Sequence, residues 1–91
     1  MAESIKIKFK LAAIMLAEEL SYRRAAEKLN LSSAELRKQI SALEAQLYLH
    51  IFKARQKKVE LTEEGQFLIK VFREAVALHD RNASKDEDDI Q

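Results

Sequence analysis

The chain has no proline and one glycine, Gly65, so little in it breaks a helix or forces a turn. Its boundaries must therefore be read from capping residues and from changes in hydrophobic period. On that reading helix dominates. A first helix runs from about Lys6 to Glu19, with Phe9, Ala13, Leu16 and Leu20 at i, i+4, i+7 and i+11 on one face. The run Ile5-Lys6-Ile7-Lys8-Phe9 alternates with period 2, and a short edge strand is the alternative there. Ser21 is placed to cap a second, short helix from Tyr22 to Leu29, and Asn30 and Leu31 form the turn out of it. Ser32 opens a third helix, and Glu35 three residues later completes a capping box. Leu36, Ile40, Leu43 and Leu47 give this helix one buried stripe, leaving Ala34, Lys38, Ser41 and Ala45 facing away.

After Leu47 the period changes. Ile51 to Ala54 and Val59 to Leu61 read as two short strands around a turn at Gln56-Lys57-Lys58, forming a β-hairpin. Thr62 caps a fourth helix whose first turn carries Glu63 and Glu64, where carboxylates favour the positive end of the helix dipole. Its apolar stripe of Phe67 or Leu68, Val71, Phe72, Ala75 and Leu78 continues to about His79, further than a small core requires. From Asn82 the sequence loses periodicity and becomes acidic, so a disordered tail is expected over 82–91.

With 47% apolar residues the chain can bury one modest core. It has no cysteine, hence no disulfide framework and no thiolate metal site. The longest apolar run, Leu11 to Ala17, is far too short to span a bilayer, and neither a leader peptide nor membrane association is expected. A cytoplasmic location follows as the expectation. The net charge of +1 conceals a division: residues 1–58 carry 12 basic and 6 acidic side chains, residues 59–91 carry 4 and 9. A cationic segment of this size fits a nucleic-acid partner, although lysine-rich solvated faces are also common.

The order helix, short helix, turn, helix, hairpin, long helix is the plan of a winged helix-turn-helix. The matching residues are Ser21-Tyr22, Ala25-Ala26 and Leu29, then Leu31-Ser32, Gln39-Ile40, Leu43-Glu44 and Leu47, then Phe52 and Val59 through Gly65. In these motifs, at these spacings, the chain resembles the LysR-type transcriptional regulators over about residues 9–80. Molybdate-responsive regulators, which share an L-T-x-x-G ending, fit less well. The fold class expected is mainly α: a three-helix core and two-stranded wing over residues 1–62, a linker and dimerisation helix over 63–81, and the tail. Ala25 and Ala26 would permit close helix crossing, Leu29 and Ile40 would fill the core, and Gly65 would let the fourth helix approach the wing.

The resemblance implies double-stranded DNA as the partner, with the third helix (33–47) in the major groove. Its outward residues are Ser33, Ala34, Arg37, Lys38 and Ser41. Arg37 and Lys38 can bond guanine O6/N7, or can simply meet phosphate. Glu35 could accept from a cytosine amino group, but the capping box is the better account of it. Lys53, Arg55, Lys57 and Lys58 place four cations in the wing for the phosphate backbone or the minor groove. Arg23 and Arg24 are candidates for further backbone contact, and Tyr22 reads as core. The resemblance also implies a homodimer through the fourth helix, with Phe67, Leu68, Val71, Phe72, Ala75 and Leu78 at the contact.

Departures from the family pattern fall where they matter. Ser33-Ala34-Glu35-Leu36-Arg37 replaces the usual Gln-Pro-Ala-Val-Ser entry to the recognition helix, so an operator cannot be inferred from relatives. Leu20 and Tyr48 stand where glycines are usual, and both turns are expected to be built differently. Ala54 stands where arginine is frequent, with Arg55 one step away as a substitute. Neither the effector domain that such regulators carry after the linker helix nor a small-molecule effector site is expected in this chain. Catalytic residues, metal ligands and cofactors are not expected either. His50 and His79 have no nearby nucleophile, and there is neither a phosphate loop nor a metal-ligand spacing. A protein-interaction module on the same fold, modulating another regulator without reading DNA, is the second reading.

Overall fold

The computed structural model describes residues 5–56 and 58–90, with side chains described as far as Leu78. Four helices and one hairpin follow in order: α1 (Ile7–Glu19), α2 (Tyr22–Leu29), α3 (Ser33–Leu47), β1 (Phe52–Arg55), β2 (Lys58–Leu61) and α4 (Glu63–Ile90). The N-terminal segment resolves as helix from Ile7, with Ile5 buried just before it, and not as an edge strand. The expected caps form. Ser21 Oγ accepts from Arg24 N–H at 3.2 Å, and Thr62 Oγ1 accepts from Gly65 N–H at 2.9 Å. The capping box of α3 closes in both directions, with Glu35 N–H donating to Ser32 Oγ (3.0 Å) and Ser32 N–H to Glu35 Oε1 (3.1 Å).

The helix ends correct one expectation. Leu20 and Tyr48 do not build different turns; both adopt the left-handed conformation that glycine would supply, with φ of 52° and 57°. The end of α3 is a Schellman motif, in which Tyr48 N–H reaches Ala45 O and Leu49 N–H reaches Glu44 O. Asn30 ends α2 in the same way, with Leu31 N–H on Ala26 O at 2.9 Å. These bonds satisfy carbonyls the helix leaves open, and so hold side-chain-bearing residues where a Cβ is disfavoured by about 1–2 kcal/mol.

One core collects residues from every helix. Ala12, Ala13 and Leu16 of α1 meet Ala25 and Ala26 of α2 and Leu36, Ile40 and Leu43 of α3, while Ile51 and Phe52 join the core from the hairpin and Ile69 and Phe72 from α4. The adjacent alanines are both buried, and their small side chains let α2 pack close against its neighbours. Leu29 and Leu47 only half-enter this core, and Leu20, expected on the inner stripe of α1, is exposed. Its left-handed backbone carries the side chain off the helical face.

The hairpin pairs Phe52 with Leu61, Lys53 with Glu60, Ala54 with Val59 and Arg55 with Lys58. Its strands are thus shifted slightly from the expected limits: Ile51 lies just ahead of β1, and Lys58 begins β2. Thr62 fastens the hairpin to α4. Its N–H donates to Ile51 O at 2.9 Å and its hydroxyl to His50 O at 2.6 Å. Gly65 lies so close that a Cβ there would penetrate the Ile51 carbonyl oxygen, which accounts for glycine at this one position.

The fourth helix departs from expectation in two respects. It does not stop at 81 but runs to Ile90, so the disordered tail expected over 82–91 is helix as far as Ile90. Loss of hydrophobic period and acidic charge are not stop signals, and no glycine or proline follows Gly65. Its apolar residues also form two faces, not one. Ile69 and Phe72 are buried against the chain's own core, with Leu68 half-buried beside them. Phe67, Val71 and Leu78 lie on roughly the opposite side and are exposed. Phe72 is therefore withdrawn from the expected contact set, and Ile69 was not anticipated in the core. Both faces repeat near 3.6 residues, so period alone merges them.

Candidate nucleic-acid interface

The outer face of α3 is open along its length. Ser33, Ala34, Arg37, Lys38 and Ser41 are all exposed, because the opposite stripe of Leu36, Ile40 and Leu43 is turned fully into the core. Among the described residues the N–H groups of Ser33 and Ala34 have no acceptor, so the positive end of this helix remains available to an anion. Glu35 is held by the capping box instead of pointing outward as a reader. The hydrogen bonds it receives from Ser32 keep its carboxyl below the ordinary glutamate value.

The tertiary fold brings only part of the predicted set together. One cleft, of about 290 Å³, lies between α2, α3 and the hairpin, and is lined by Tyr22, Arg37, Phe52, Lys53, Ala54, Lys58 and Val59. A neighbouring crevice shares Tyr22, Arg37 and Lys58 with it and adds Arg23, Arg24 and Ser33. Six predicted residues from three elements therefore border one continuous surface: Arg23, Arg24, Ser33, Arg37, Lys53 and Lys58. Ala34, Lys38 and Ser41 line neither cleft, although they share the exposed face of α3. Lys57 lies outside the described residues.

Not every cation on this surface is equally available. Arg23 is 3.6 Å from Glu27 on the next turn of α2, and Arg55 is 3.8 Å from Glu60 across the hairpin. Glu60 also stands opposite Lys53 in the ladder, so the wing is less positive than its own four cations suggest. Arg24 and Arg37 have no carboxylate partner among the described residues. Arg37 stacks instead on Tyr22, its guanidinium carbon 4.2 Å from the ring centroid. Tyr22 is half-buried rather than core. Burial pushes its phenol above the usual value, opposed by the Arg37 charge and reinforced by Glu44, so the ring stays neutral under the cation.

Glu44, which the sequence offers only as part of a family motif, has a role that motif does not reveal. Its Oε2 accepts from Ile51 N–H at 2.8 Å and from Phe52 N–H at 3.1 Å, clamping the start of β1 to the end of α3. Its Oε1 is 3.7 Å from His50 Nδ1. A signal was present: a carboxylate in the last turn of a helix opposes the helix dipole and needs another partner. The clamp ties the end of α3 to the start of the hairpin whose Lys53 and Lys58 share a cleft with Arg37.

Comparison with known proteins agrees with this geometry. The model for bacterial regulatory helix-turn-helix proteins of the lysR family matches residues 11–66. The HTH-type transcriptional regulator YbhD of Escherichia coli strain K12 is 33% identical over 69 residues, covering 76% of this chain and 22% of that protein. The crystal structure of a CbnR DBD complex with DNA superposes with a TM-score of 0.89 at 23% identity, covering 96% of this chain and 100% of that one. Vibrio fischeri DarR, in complex with DNA, gives a TM-score of 0.89 at 22% identity over 93% of this chain and 29% of that one. At those identities the structural likeness is one of fold. The chain spans less than a quarter of the length of YbhD.

Proposed function

The chain belongs to the lysR family of bacterial regulatory helix-turn-helix proteins, and from that membership we propose that it binds double-stranded DNA as a transcriptional regulator, with α3 in the major groove. The observation that carries the reading is the convergence of Arg23, Arg24, Ser33, Arg37, Lys53 and Lys58 on one surface beside the free first turn of α3. Three separate elements contribute cations to it, an arrangement suited to following a phosphate backbone while a helix enters the groove. Ser33, Ala34, Arg37, Lys38 and Ser41 meet bases or flanking phosphates, and Lys53, Arg55, Lys57 and Lys58 of the wing lie along the backbone. The CbnR DBD and DarR neighbours are both DNA complexes, which supports the same assignment.

The exposed stripe of Phe67, Val71 and Leu78 supports homodimerisation through α4, with Leu68 and Ala75 at its margin. A two-fold arrangement would set two copies of α3 on half-sites of a pseudo-palindrome. On this reading residues 1–62 bind DNA, 63–81 link and dimerise, and 82–91 form an acidic extension, all in the bacterial cytoplasm. No helix among the described residues is long and apolar enough to cross a membrane. The role read here is binding; His50 is exposed, with its Nδ1 3.7 Å from Glu44 Oε1.

Titration of a labelled random-sequence duplex at several salt concentrations tests the proposal. Log affinity should fall with log salt at about 0.9 per neutralised phosphate, with a slope corresponding to several contacts. Absence of binding at low salt would overturn it and leave the protein-interaction reading.

A further inference from the structure

Five arginines have described side chains, and they divide by partner. Arg23, Arg55 and Arg73 each face a glutamate within 3.6–3.8 Å. Arg24 and Arg37 face no carboxylate among the described residues, and of these two it is Arg37 that lies over an aromatic ring, that of Tyr22. The platform is anchored. Tyr22 is the first residue of α2, follows the Ser21 cap, and packs its half-buried ring against the core. A guanidinium carries its N–H donors in its own plane, and holding it over a ring restrains where that donor edge points, which is what a guanine O6/N7 pair requires. An arginine unsupported on its stem reaches phosphate equally well, because a phosphate asks only for a cation. Stacking therefore matters where direction matters.

We infer that Tyr22 is a positioning residue for Arg37: it holds the guanidinium edge in the orientation for a bidentate contact with guanine, and so sets base discrimination without touching a base. This deepens the DNA-binding reading above and rests on it. The ring is essential to this role and the hydroxyl is not, because the interaction uses the face of the π-system. Lys53 and Lys58, on the far wall of the same cleft, supply attraction to phosphate whatever the sequence.

The test uses the full chain and a duplex selected from a randomised library. Its readout is the ratio of affinity for that duplex to affinity for random duplex at one salt concentration. Arg37→Ala identifies the base pair that Arg37 reads. Tyr22→Leu, which fills the ring's place without its π-face, should lower the ratio about 3- to 10-fold. Tyr22→Phe should stay within about twofold of the parent, and Tyr22→Leu should add nothing in the Arg37→Ala background. Should Tyr22→Leu fail to fold, Arg37→Lys on the exposed face keeps the charge, loses the planar fork and should lower the ratio similarly. Additive losses, an unchanged ratio in Tyr22→Leu, or full discrimination by Arg37→Lys would overturn the inference while leaving DNA binding in place. If no duplex binds at all, the DNA-binding reading itself fails and this inference with it.

Discussion

The Arg37 guanidinium lies over the face of Tyr22, 4.2 Å from the ring centroid, joining the second turn of α3 to the first residue of α2. The two elements of the helix-turn-helix are thus coupled at the surface as well as through the core. If Arg37 reads a base, Arg37→Ala should cost about 1–3 kcal/mol at a preferred site and much less on random duplex. Lys38→Ala, as a phosphate contact, should weaken both alike and reduce the salt slope by about one. Paired titrations on selected and random duplexes distinguish these outcomes.

Tyr48 ends α3 with φ of 57° and is 94% exposed, so its side chain contributes little packing to offset the disfavoured backbone. Tyr48→Gly should stabilise the fold by about 0.5–1 kcal/mol, the relief of the left-handed strain exceeding the greater freedom glycine gives the unfolded chain. Urea denaturation would show a raised midpoint with an unchanged slope.

Glu44 accepts two backbone N–H groups at the start of β1. Glu44→Ala should cost about 2–4 kcal/mol, because both donors lose a charged acceptor in a partly buried place. The wing would lose its tie to α3, and DNA affinity should fall, although removing a negative charge by itself predicts a rise. Denaturation and duplex titration of the same variant measure both effects.

The two apolar faces of α4 should separate cleanly in mutagenesis. Phe72→Ala, inside the core, should destabilise each protomer by about 3–5 kcal/mol. Phe67→Ser combined with Val71→Ser, on the exposed face, should leave the protomer folded and shift a dimer to monomer. Analytical ultracentrifugation alongside circular dichroism reads the two outcomes independently.

Glu35 has its pKa lowered in the folded chain by hydrogen bonds from Ser32. A depressed carboxylate contributes stability that is present above its unfolded value, 4.5, and lost as pH falls through the folded value. Stability should therefore decline below about pH 4.5, and Glu35→Gln should remove this part of the decline while keeping a residue able to cap. Comparing denaturation of the two chains between pH 6 and pH 3 checks the sign.

By itself the sequence determined the element order, the caps and the exposed face of α3. Ser21, Ser32, Glu35 and Thr62 act on backbone groups a few residues away, and Leu36, Ile40 and Leu43 declare their face by local spacing. Gly65 was legible too, as the one residue without a Cβ beside a hairpin. What the tertiary structure decided depends on residues distant along the chain. Leu20 and Tyr48 could be placed in left-handed turns only once the bonds and packing around those turns were known, because their side chains argue against that conformation. Period could not separate Phe72 from Phe67, since which apolar face meets the core depends on where α1 lies. The partners Tyr22–Arg37 and Glu44–Ile51 were invisible because polar and stacking contacts are chosen by three-dimensional approach, for which spacing along one chain carries no signal.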